Sequence, residues 1–590
     1  LKNNGNAGSV ENYGSIIANG GVVALIAPTI KNYGTIQANN GTVHLTAADQ
    51  VTLQLQDGRL TEYQIDMGTL QGLVENGGAI QADNGAVYLT AQAKNSLSKA
   101  VVNHTGIIEA NRLSKNAKGE IILLADMQHG TTTVSGTLKA EGKNGADGGF
   151  IETSAANIQI QDSTKVSTLS DSGKTGTWLI DPTDFTIRAG GGIWTTSSIG
   201  ATTLQTNLAT SSVILQTSAT NTGSEKGDIN VNAAVTWTSP NSLTLNAHND
   251  ININANITAT NGKLNLIYGT STANYYANTS NYYLNNGAKV NLKAGQNFST
   301  QKGADTARKI DYTVITDLGA AGSTTKTDLQ GMKGDLLGNY VLGADIDASP
   351  TTGWNSGAGF TPVGTGDPYY AGTTPFNGRF DGLGHSISNL YINRPTETYV
   401  GLFGSSSAFN SGGTFRHVGM AGVNITGKRH VGGLVGEARS GIVENSYATG
   451  QVTGEDYVGG LVGYGFNGYI KKSYAAVDVT ATSTVSHAGG LIGSLSFSTG
   501  RIENSYATGS VEGKSSTGGL VGSVTSDAKV VNSYATGDVK GSGDVGGLVG
   551  ISTHKSQIAN SYATGKVEGI NNIGGLVGSN TYGSRINNVY

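Results

Sequence analysis

The chain has 590 residues, of which 88 are glycine, 8 are proline and none is cysteine, and only 13 % are charged. Glycine is about twice as common, and charge about half as common, as in an average globular protein. The formal net charge of −4 leaves no basic excess that would favour a nucleic-acid partner. No apolar run approaches the roughly 20 residues of a membrane-spanning helix, and the regular spacing of Val, Ile and Leu argues against disorder.

Residues 1–187 carry a repeat of roughly 20 residues, of the form Gly-x-Ile-x-Ala-Asn-x-Gly-x-Val-x-Leu-x-Ala. Its clearest copies run over 14–27, 34–47 and 78–91. Apolar residues alternate with polar ones, which predicts half-buried strands. We interpret this part as a parallel β-helix in which each repeat is one coil.

Residues 188–310 continue the strand pattern, and we expect them to continue the β-helix. Short helices are plausible at 201–209 and 326–332. Residues 311–400 are less regular, and we expect a β-rich segment with long loops there.

Residues 401–590 repeat two phrases, Gly-Gly-Leu-Val-Gly and Asn-Ser-Tyr-Ala-Thr-Gly. Successive tyrosines of the second phrase are 27, 32, 28, 28 and 28 residues apart. Each repeat contains three apolar bursts too short and too rich in glycine for helices, which predicts three strands per coil. Side chains of a strand alternate between its two faces. We therefore expect the tyrosine, the asparagine two residues before it and the β-branched residue four residues before it to share the inward face. The predicted fold class is all-β, a parallel β-helix with short helices and loop excursions.

Two further sequence phrases, together with the repeats, resemble those of known bacterial surface proteins. The phrase Gly148-Gly149-Phe150-Ile151-Glu152-Thr153-Ser154, the segment Gly176-Thr177-Trp178-Leu179-Ile180-Asp181-Pro182 and the N-terminal repeat resemble the exoproteins of bacterial two-partner secretion. These are the filamentous-haemagglutinin-like and high-molecular-weight adhesins. The C-terminal repeats are similar to the motif called GLUG.

The resemblance implies a right-handed parallel β-helix on the outer surface of a Gram-negative bacterium. It further implies an outer-membrane transporter as export partner, and a host receptor or polysaccharide as the partner for adhesion. The Asn-Pro-Asn motifs of the family's secretion domain are missing from this sequence. We therefore expect the chain to be a fragment or a processed form.

Tyrosine pairs are the candidate ligand-binding residues, because aromatic rings in polar loops can stack on sugars. Two Asn-Tyr-Tyr triplets place Tyr275, Tyr276, Tyr282 and Tyr283 close together, and Tyr369 and Tyr370 form a weaker candidate. The alternative is that these rings fill the interior. We expect recognition where the period breaks, at 271–286 or 350–376, and we interpret the C-terminal repeats as a spacer.

No pattern predicts a cofactor or a metal, because the nine histidines are scattered. The pairs Asp181/Asp184 and Asp345/Asp347 are too sparse for a dedicated calcium loop and favour turn capping. Asp381 lies in a phrase that faintly resembles β-helical polysaccharide hydrolases, but a second carboxylate is not evident beside it. We predict an adhesin and no enzyme, with a polysaccharide-degrading enzyme or a haem-capturing exoprotein as alternatives.

Asn-x-Ser/Thr sequons are possible glycosylation sites, and some adhesins of this class carry sugars on such sequons. They occur at Asn40, Asn103, Asn256, Asn278, Asn297 and Asn424.

Overall fold

The computed structural model describes residues 1–2, 8–56, 59–219, 225–271, 277–366, 374–407 and 413–589. They form two units, an N-terminal unit of Leu1–Lys289 with Phe298–Ile310 and a C-terminal unit of Val290–Asn297 with Asp311–Tyr590. The regular secondary structure of both units is almost entirely short strands, and nearly all of these pair in parallel with a strand of the neighbouring coil. The predicted all-β, solenoid-like fold with parallel sheets is therefore confirmed.

The N-terminal unit contains three main series of parallel strands. The first comprises Ser9–Asn12, Thr29–Asn32, Gln71–Asn76, Lys99–His104, Gly130–Val134, Asn157–Ile160, Ser198–Gly200, Phe185–Arg188, Ile229–Val231, Ile251–Ile253 and Tyr282–Leu284. The second comprises Ser15–Ile17, Thr35–Gln37, Ala79–Gln81, Ile107–Glu109, Thr137–Lys139 and Lys165–Ser167. The third comprises Val22–Ile26, Thr42–Ala47, Ala86–Ala91, Glu120–Ala125, Phe150–Ser154, Thr177–Asp181, Ser212–Gln216, Ser242–Asn246 and Lys263–Tyr268.

Other elements of this unit are a short parallel pair, an antiparallel hairpin and a helix. They are Val235–Trp237 with Ile257–Ala259, Gln50–Gln56 with Arg59–Met67, and Ala201–Leu208. The helix confirms the prediction for 201–209, and it buries Leu204 and Leu208 on one face. Strands Gly295–Lys302 and Lys309–Ile315 each contain residues of both units.

The repeats of the N-terminal unit stack in register. Ile36 pairs with Ile80, and Leu45 pairs with Leu89, in parallel strands one coil apart. All four side chains are at most 1 % exposed. The fixed positions of the repeat therefore form continuous apolar columns, as the alternation predicts.

An amide ladder runs through the interior of the first series of strands. Asn12 donates to Asn32 over 2.8 Å, and Asn32 donates to Asn76 over 2.7 Å. Nδ2 of Asn76 lies 3.2 Å from Nδ1 of His104, whose Nε2 lies 3.2 Å from the carbonyl of Thr137. The imidazole of His104 is fully buried and therefore closes the ladder as a hydrogen-bonding group.

The C-terminal unit contains four series of parallel strands. The first comprises Asn339–Leu342, Arg379–Asp381, Thr414–Arg416, Ile442–Glu444, Tyr469–Lys471, Arg501–Glu503, Lys529–Val531, Gln557–Ala563 and Arg585–Val589. The second comprises Ile346–Asp347, Ser386–Ser388, Tyr391–Asn393, Gly419–Thr426, Tyr447–Gly454, Tyr474–Ala481, Tyr506–Ala507, Val511–Glu512, Tyr534–Ala535, Val539–Lys540 and Val567–Glu568.

The other two series flank the Gly-Gly-Leu phrase of each repeat. The third comprises Thr398–Val400, Arg429–Gly432, Asp456–Gly459, His487–Gly489, Ser516–Gly518, Asp544–Gly546 and Ile573–Gly574. The fourth comprises Phe403–Ser406, Val435–Arg439, Val462–Phe466, Ile492–Ser496, Val521–Thr525, Val549–Ser552 and Val577–Asn580. Strand Val290–Leu292 and the 3₁₀ segments Gln330–Gly334 and Ser349–Gly357 also belong to this unit, and Thr306–Arg308 is a 3₁₀ turn of the N-terminal unit. The helix expected at 326–332 is thus only a short 3₁₀ segment that begins at Gln330.

The prediction that tyrosine shares the inward face with the β-branched residue is wrong. Ile502 and Val530 are buried as expected, but Tyr506 and Tyr534 lie half-buried on the outer surface. The reason is the backbone of Asn504, which has a φ of 50°. A residue in this left-handed region turns the chain, so the alternation restarts after it with the opposite phase. The serine between asparagine and tyrosine points inward instead.

These inward serines form a second ladder. The amide of Ser505 donates to Oγ of Ser533 over 3.2 Å, and the amide of Ser533 donates to Oγ of Ser561 over the same distance. Each hydroxyl in turn donates to the carbonyl two residues earlier, as Ser533 does to Val531 over 2.8 Å. Donors and acceptors of the buried serines are thereby satisfied.

The asparagines expected on the inward face lie on the outer surface instead, and three of them form a ladder there. Nδ2 of Asn560 donates to Asn532 over 3.1 Å, and Nδ2 of Asn588 donates to Asn560 over 3.3 Å. All three residues have φ between 49° and 51°.

Candidate binding site at a corner of the C-terminal repeats

The tyrosines predicted to stack on sugars do not form one exposed site. Tyr282 lies in a strand, is 1 % exposed, and packs edge-on against Tyr268 with ring centroids 5.6 Å apart. Its ring fills the interior, so the expectation of an exposed ring is wrong for this residue. Tyr283, next to it, is half-buried. The remaining four, Tyr275, Tyr276, Tyr369 and Tyr370, lie outside the described residues.

One predicted glycosylation site is in the interior. Asn278 is 5 % exposed, and its Nδ2 donates to the carbonyl of Gly269 over 2.6 Å. A glycan on this nitrogen would break the hydrogen bond and has no room, so the folded chain disfavours Asn278. Of the others, Asn40, Asn256 and Asn424 are exposed and Asn103 and Asn297 are half-buried. Glycosylation of these five stays a prediction.

Asp381 lies in the interior of the C-terminal unit. It is 2 % exposed, and its carboxylate lies 3.1 Å from Nδ1 of His417 and accepts from the amide of Leu383 over 2.8 Å. Arg416 lies 3.6 Å from its second oxygen. A polysaccharide would need an open carboxylate, and this one is enclosed by its own partners.

Of the aspartates considered as calcium ligands, Asp184, Asp345 and Asp347 accept hydrogen bonds from backbone amides, and Asp181 accepts one from Nε2 of Gln216. Asp184 accepts from the amides of Gly227 and Asp228 over 2.7 and 2.8 Å. Asp345 accepts from the amide of Ser386 over 2.8 Å. Among the residues that the structure describes, no three His, Asp or Glu side chains are grouped closely enough to hold a metal ion.

The five outer tyrosines of the Asn-Ser-Tyr phrase stack on one another. Neighbouring ring centroids are 4.8 to 5.1 Å apart, and the planes differ by at most 6°. These tyrosines are Tyr447, Tyr474, Tyr506, Tyr534 and Tyr562. Because each ring covers the face of the next, this surface presents ring edges and hydroxyls, and the faces are not available to a sugar.

A different cluster lies where the chain turns at the Gly-Gly-Leu phrase. In the first copy the strands Arg429–Gly432 and Val435–Arg439 precede and follow this turn. Their outward side chains converge, since Nδ1 of His430 lies 2.7 Å from a carboxylate oxygen of Glu437. We call this cluster the corner groove. Its members are Tyr399, Arg429, His430, Glu437, Arg439, Asp456, Tyr457, Tyr464 and His487.

Aromatic rings from successive coils line the corner groove. The ring of His430 contacts Tyr399, Tyr457 and Tyr464 with centroids 5.0, 4.9 and 5.2 Å away. The ring of Tyr457 lies parallel to that of His487, with centroids 4.6 Å apart. All five rings are half-buried, so each keeps part of its surface open.

The backbone at the groove is unusual. Tyr399, His430 and Tyr457 have φ of 68°, 52° and 52°, a region that residues other than glycine seldom adopt. The same conformation recurs one coil apart, so it belongs to the turn.

Buried charges lie beneath the rings. Glu437 is fully buried between His430 and Arg439, whose Nε is close to the second carboxylate oxygen as an ion pair. Asp456 is 7 % exposed and lies 2.9 Å from Nδ1 of His487 and 3.1 Å from Arg429. The negative charges of Glu437 and Asp456 are thus compensated by the positive charges of Arg439 and Arg429.

The pKa of Asp456 follows from these partners. Burial acts to raise this pKa, but the hydrogen bond and charge of His487 and the charge of Arg429 outweigh burial, so the pKa lies below its ordinary value. Asp456 is therefore a carboxylate at neutral pH, and its two oxygens are held by the amides of Tyr457 and His487, the imidazole of His487 and the guanidinium of Arg429.

The corner groove is confined to the first copies of the repeat. The positions of His430, Tyr457 and His487 are occupied in later copies by Ser516, Asp544 and Asn572. Sequence reasoning missed the cluster because it compared what the copies share. The sequence does contain a signal for this cluster, at the position two residues before each Gly-Gly pair. That position holds tyrosine or histidine in the first three copies and a small polar residue in the later ones.

Comparisons with known proteins bear on the same region. The GLUG motif matches residues 427–453, 484–512, 513–540 and 541–568, so the predicted GLUG-type repeats are confirmed. Halomucin of Haloquadratum walsbyi (strain DSM 16790 / HBSQ001) is 41 % identical over 116 residues, which are 19 % of this chain and 1 % of that protein.

Among solved structures, a 1.30 Å crystal structure from Bacteroides ovatus, provisionally named an immunoglobulin A1 protease, matches 47 % of this chain and 84 % of its own. Its sequence identity is 21 % and its TM-score is 0.35, a similarity too low to carry an argument. Within the described ranges, no helix is both long and apolar enough to cross a membrane. Four repeats of the C-terminal unit are thus GLUG motifs, and the corner groove takes residues from the first two of them and from the stretches before and between these two.

Proposed function

We propose that this chain is part of a large secreted surface protein that acts as an adhesin. Its stacked coils would form the shaft, and the corner groove would attach it to a polysaccharide of a host cell, another bacterium or an extracellular matrix. The GLUG motifs and the similarity to part of halomucin support this proposal. We further propose that the coils are right-handed, as crossover connections between parallel strands nearly always are.

The observation that carries the proposal is the composition of the corner groove. Half-buried rings offer apolar surface for the carbon skeleton of a sugar, while Arg429, whose side chain is 49 % exposed, offers donors at the rim. Because the charges are balanced within the groove, the ligand favoured is a hydroxyl-rich, uncharged glycan. The contribution of the groove is binding, since Glu437 is fully enclosed.

Glycan-array binding of the chain and of two variants tests the proposal. Tyr457→Asn removes a central ring. Asparagine is the residue at the equivalent position of a later copy, where Asn572 also has a positive φ, of 44°. We expect binding to fall at least about tenfold, because one stacked ring and its packing are lost. The matched control is Asp544→Asn, at the equivalent position of a copy without the groove, and it should bind normally.

Equal binding by Tyr457→Asn and the unchanged chain, with equal melting temperatures, would remove the corner groove from the proposal. Absence of binding to every glycan and to bacterial and host cells would contradict an adhesin.

The export route and location are part of the proposal. We expect the outer surface of a Gram-negative bacterium, reached through an outer-membrane transporter of the two-partner type. Expression with and without such a transporter, followed by protease treatment of intact cells, distinguishes surface display from retention.

The two alternatives have their own tests. Release of reducing ends from a bound glycan, abolished by Asp381→Asn, would favour the polysaccharide-degrading enzyme. A Soret-band change on adding haem would favour the haem-capturing exoprotein.

A further inference from the structure

An antiparallel hairpin interrupts the N-terminal repeats. Strands Gln50–Gln56 and Arg59–Met67 follow the second clear copy and lie against the outer face of strand Thr42–Ala47. The ring of Tyr63 on the hairpin stacks on the imidazole of His44, with centroids 4.0 Å apart and planes 13° apart. The hydroxyl of Tyr63 donates to Oγ1 of Thr46. These contacts fix the hairpin over the coils.

A cleft of about 640 Å³ lies between the hairpin and the coils. We call it the hairpin cleft. Its volume is within the range of small-molecule sites, roughly 300 to 1,000 Å³. The rings of His44, Tyr63 and Tyr88 line it together with Thr42, Thr90 and Gln92. Polar groups and aromatic rings therefore alternate around a space that holds one or two sugar rings.

His44 is the central residue of this cleft. It is 7 % exposed, and its ring lies between those of Tyr63 and Tyr88, 4.0 and 4.9 Å away. Its imidazole makes no hydrogen bond to any other residue in the described ranges. Burial, aided by the charge of Lys118, lowers the pKa of His44 to about 4, so the ring is neutral at neutral pH. A neutral imidazole offers one donor and one acceptor to a ligand.

The charged side chains that line the cleft are Lys118, which is paired, and the exposed Glu62. Lys118 forms an ion pair with Glu120 over 2.7 Å, and the hydroxyl of Tyr88 donates to Glu120 over 2.6 Å. The neighbour of His44 in the preceding coil is the small residue Ala24. An uncharged, hydroxyl-rich molecule matches both the unmet imidazole and the surrounding rings.

We propose that the hairpin cleft binds a neutral sugar residue, with the sugar hydroxyls on the imidazole of His44 and the carbon face of the ring against Tyr63 or Tyr88. The site belongs to the N-terminal unit alone and does not depend on the corner groove.

Saturation-transfer NMR with the full chain tests this proposal, using D-glucose, D-galactose, D-mannose and N-acetyl-D-glucosamine as probes. We expect transfer to at least one of them. His44→Phe keeps the ring stack and removes both hydrogen-bonding groups, so it should weaken that binding at least about tenfold. Gln92→Ala changes an exposed residue that lines the cleft, so we expect the chain to fold normally and sugar binding to weaken several-fold.

The matched control is Tyr33→Ala, which removes one ring of the exposed stacked pair Tyr13 and Tyr33 in the same unit. It should bind as the unchanged chain does. Absence of transfer to all four sugars would overturn the proposal, as would unchanged binding by both His44→Phe and Gln92→Ala. Tyr457→Asn must leave this binding intact, which separates a failure here from a failure of the corner groove.

Discussion

At the scale of single residues, the buried serines of the C-terminal repeats contribute more to the stability of the fold than their small side chains indicate. Oγ of Ser533 accepts from the amide of Ser505 and donates to the carbonyl of Val531, so one hydroxyl joins two coils. An unsatisfied buried amide costs about 1–3 kcal/mol. The side chain is therefore required by the backbone of the neighbouring coil.

Ser533→Ala tests this role. It leaves the amide of Ser505 buried without its acceptor, and we expect the free energy of local opening to fall by about 1–3 kcal/mol. Hydrogen exchange of strands Arg501–Glu503 and Tyr506–Ala507 measures this energy directly. Thr536→Ala, on the exposed face of the same repeat, is the control and should change exchange by less than about 0.5 kcal/mol. Equal effects of the two variants would refute the ladder's role.

His104 makes the N-terminal unit sensitive to acid. Burial lowers its pKa from 6.5 to about 4, against the opposing effect of its hydrogen bonds to Thr137 and Asn76. Between these values the unfolded chain binds a proton that the folded chain does not. Stability is therefore full above pH 6.5 and falls as the pH drops towards 4, by about 3 kcal/mol in total.

His104→Asn replaces the titrating ring with an amide that can continue the ladder. The loss of stability between pH 7 and pH 4 should then be smaller by about 3 kcal/mol than in the unchanged chain. Urea unfolding followed by tryptophan fluorescence reports it, since Trp178, Trp194 and Trp237 lie in the N-terminal unit. The pKa of His44 is also lowered to about 4, but His44 is present in both chains, so its contribution to the pH dependence is the same in each. The same pH dependence in both chains would contradict the assignment.

At the scale of elements, the asparagine corner sets the phase of each coil. Asn532 has a φ of 51°. This conformation raises the free energy of an alanine by about 1–2 kcal/mol, whereas glycine adopts it without strain. Asn532→Ala and Asn532→Gly both lose the hydrogen bond from Asn560, so their difference reports the backbone alone. We expect the alanine variant to be less stable than the glycine variant by about 1 kcal/mol, measured by hydrogen exchange of strand Tyr534–Ala535. Greater stability of the alanine variant would show that the turn does not require positive φ.

This corner also explains which parts of the fold the sequence could predict. Strands and their period follow from local alternation, and the burial of Val443, Ile470 and Ile502 was correctly expected. The outward position of Tyr506 was not expected, because a single residue with positive φ reverses the phase and the residue type alone does not show where this happens. Lys472, with a φ of 48°, shows that the asparagine is preferred but not obligatory at this corner.

At the scale of the whole molecule, the candidate sites were harder to predict than the coils. The groove residues His430, Tyr457 and His487 are about one coil apart in sequence, and they meet only because the strands stack in register. The hairpin cleft depends on an excursion that returns to its own coil. Both sites follow from pairing between distant segments, about which composition and local pattern carry no information.

A solenoid with one local site should tolerate removal of a coil that lies outside the site, because each coil contacts mainly its neighbours. Deleting Ala535–Tyr562 joins Tyr534 to Ala563 and restores the Tyr-Ala-Thr-Gly phrase. Deleting Ala448–Tyr474 joins Tyr447 to Ala475, which gives Tyr-Ala-Ala-Val as in the copy that begins at Tyr474, and it removes Asp456, Tyr457 and Tyr464. We expect both chains to fold with the same circular-dichroism spectrum per residue. Only the second should lose glycan binding, by at least about tenfold on the array used for Tyr457→Asn. Loss of binding in the first deletion would show that the later repeats take part in recognition, and retention in the second would place the binding site outside the corner groove.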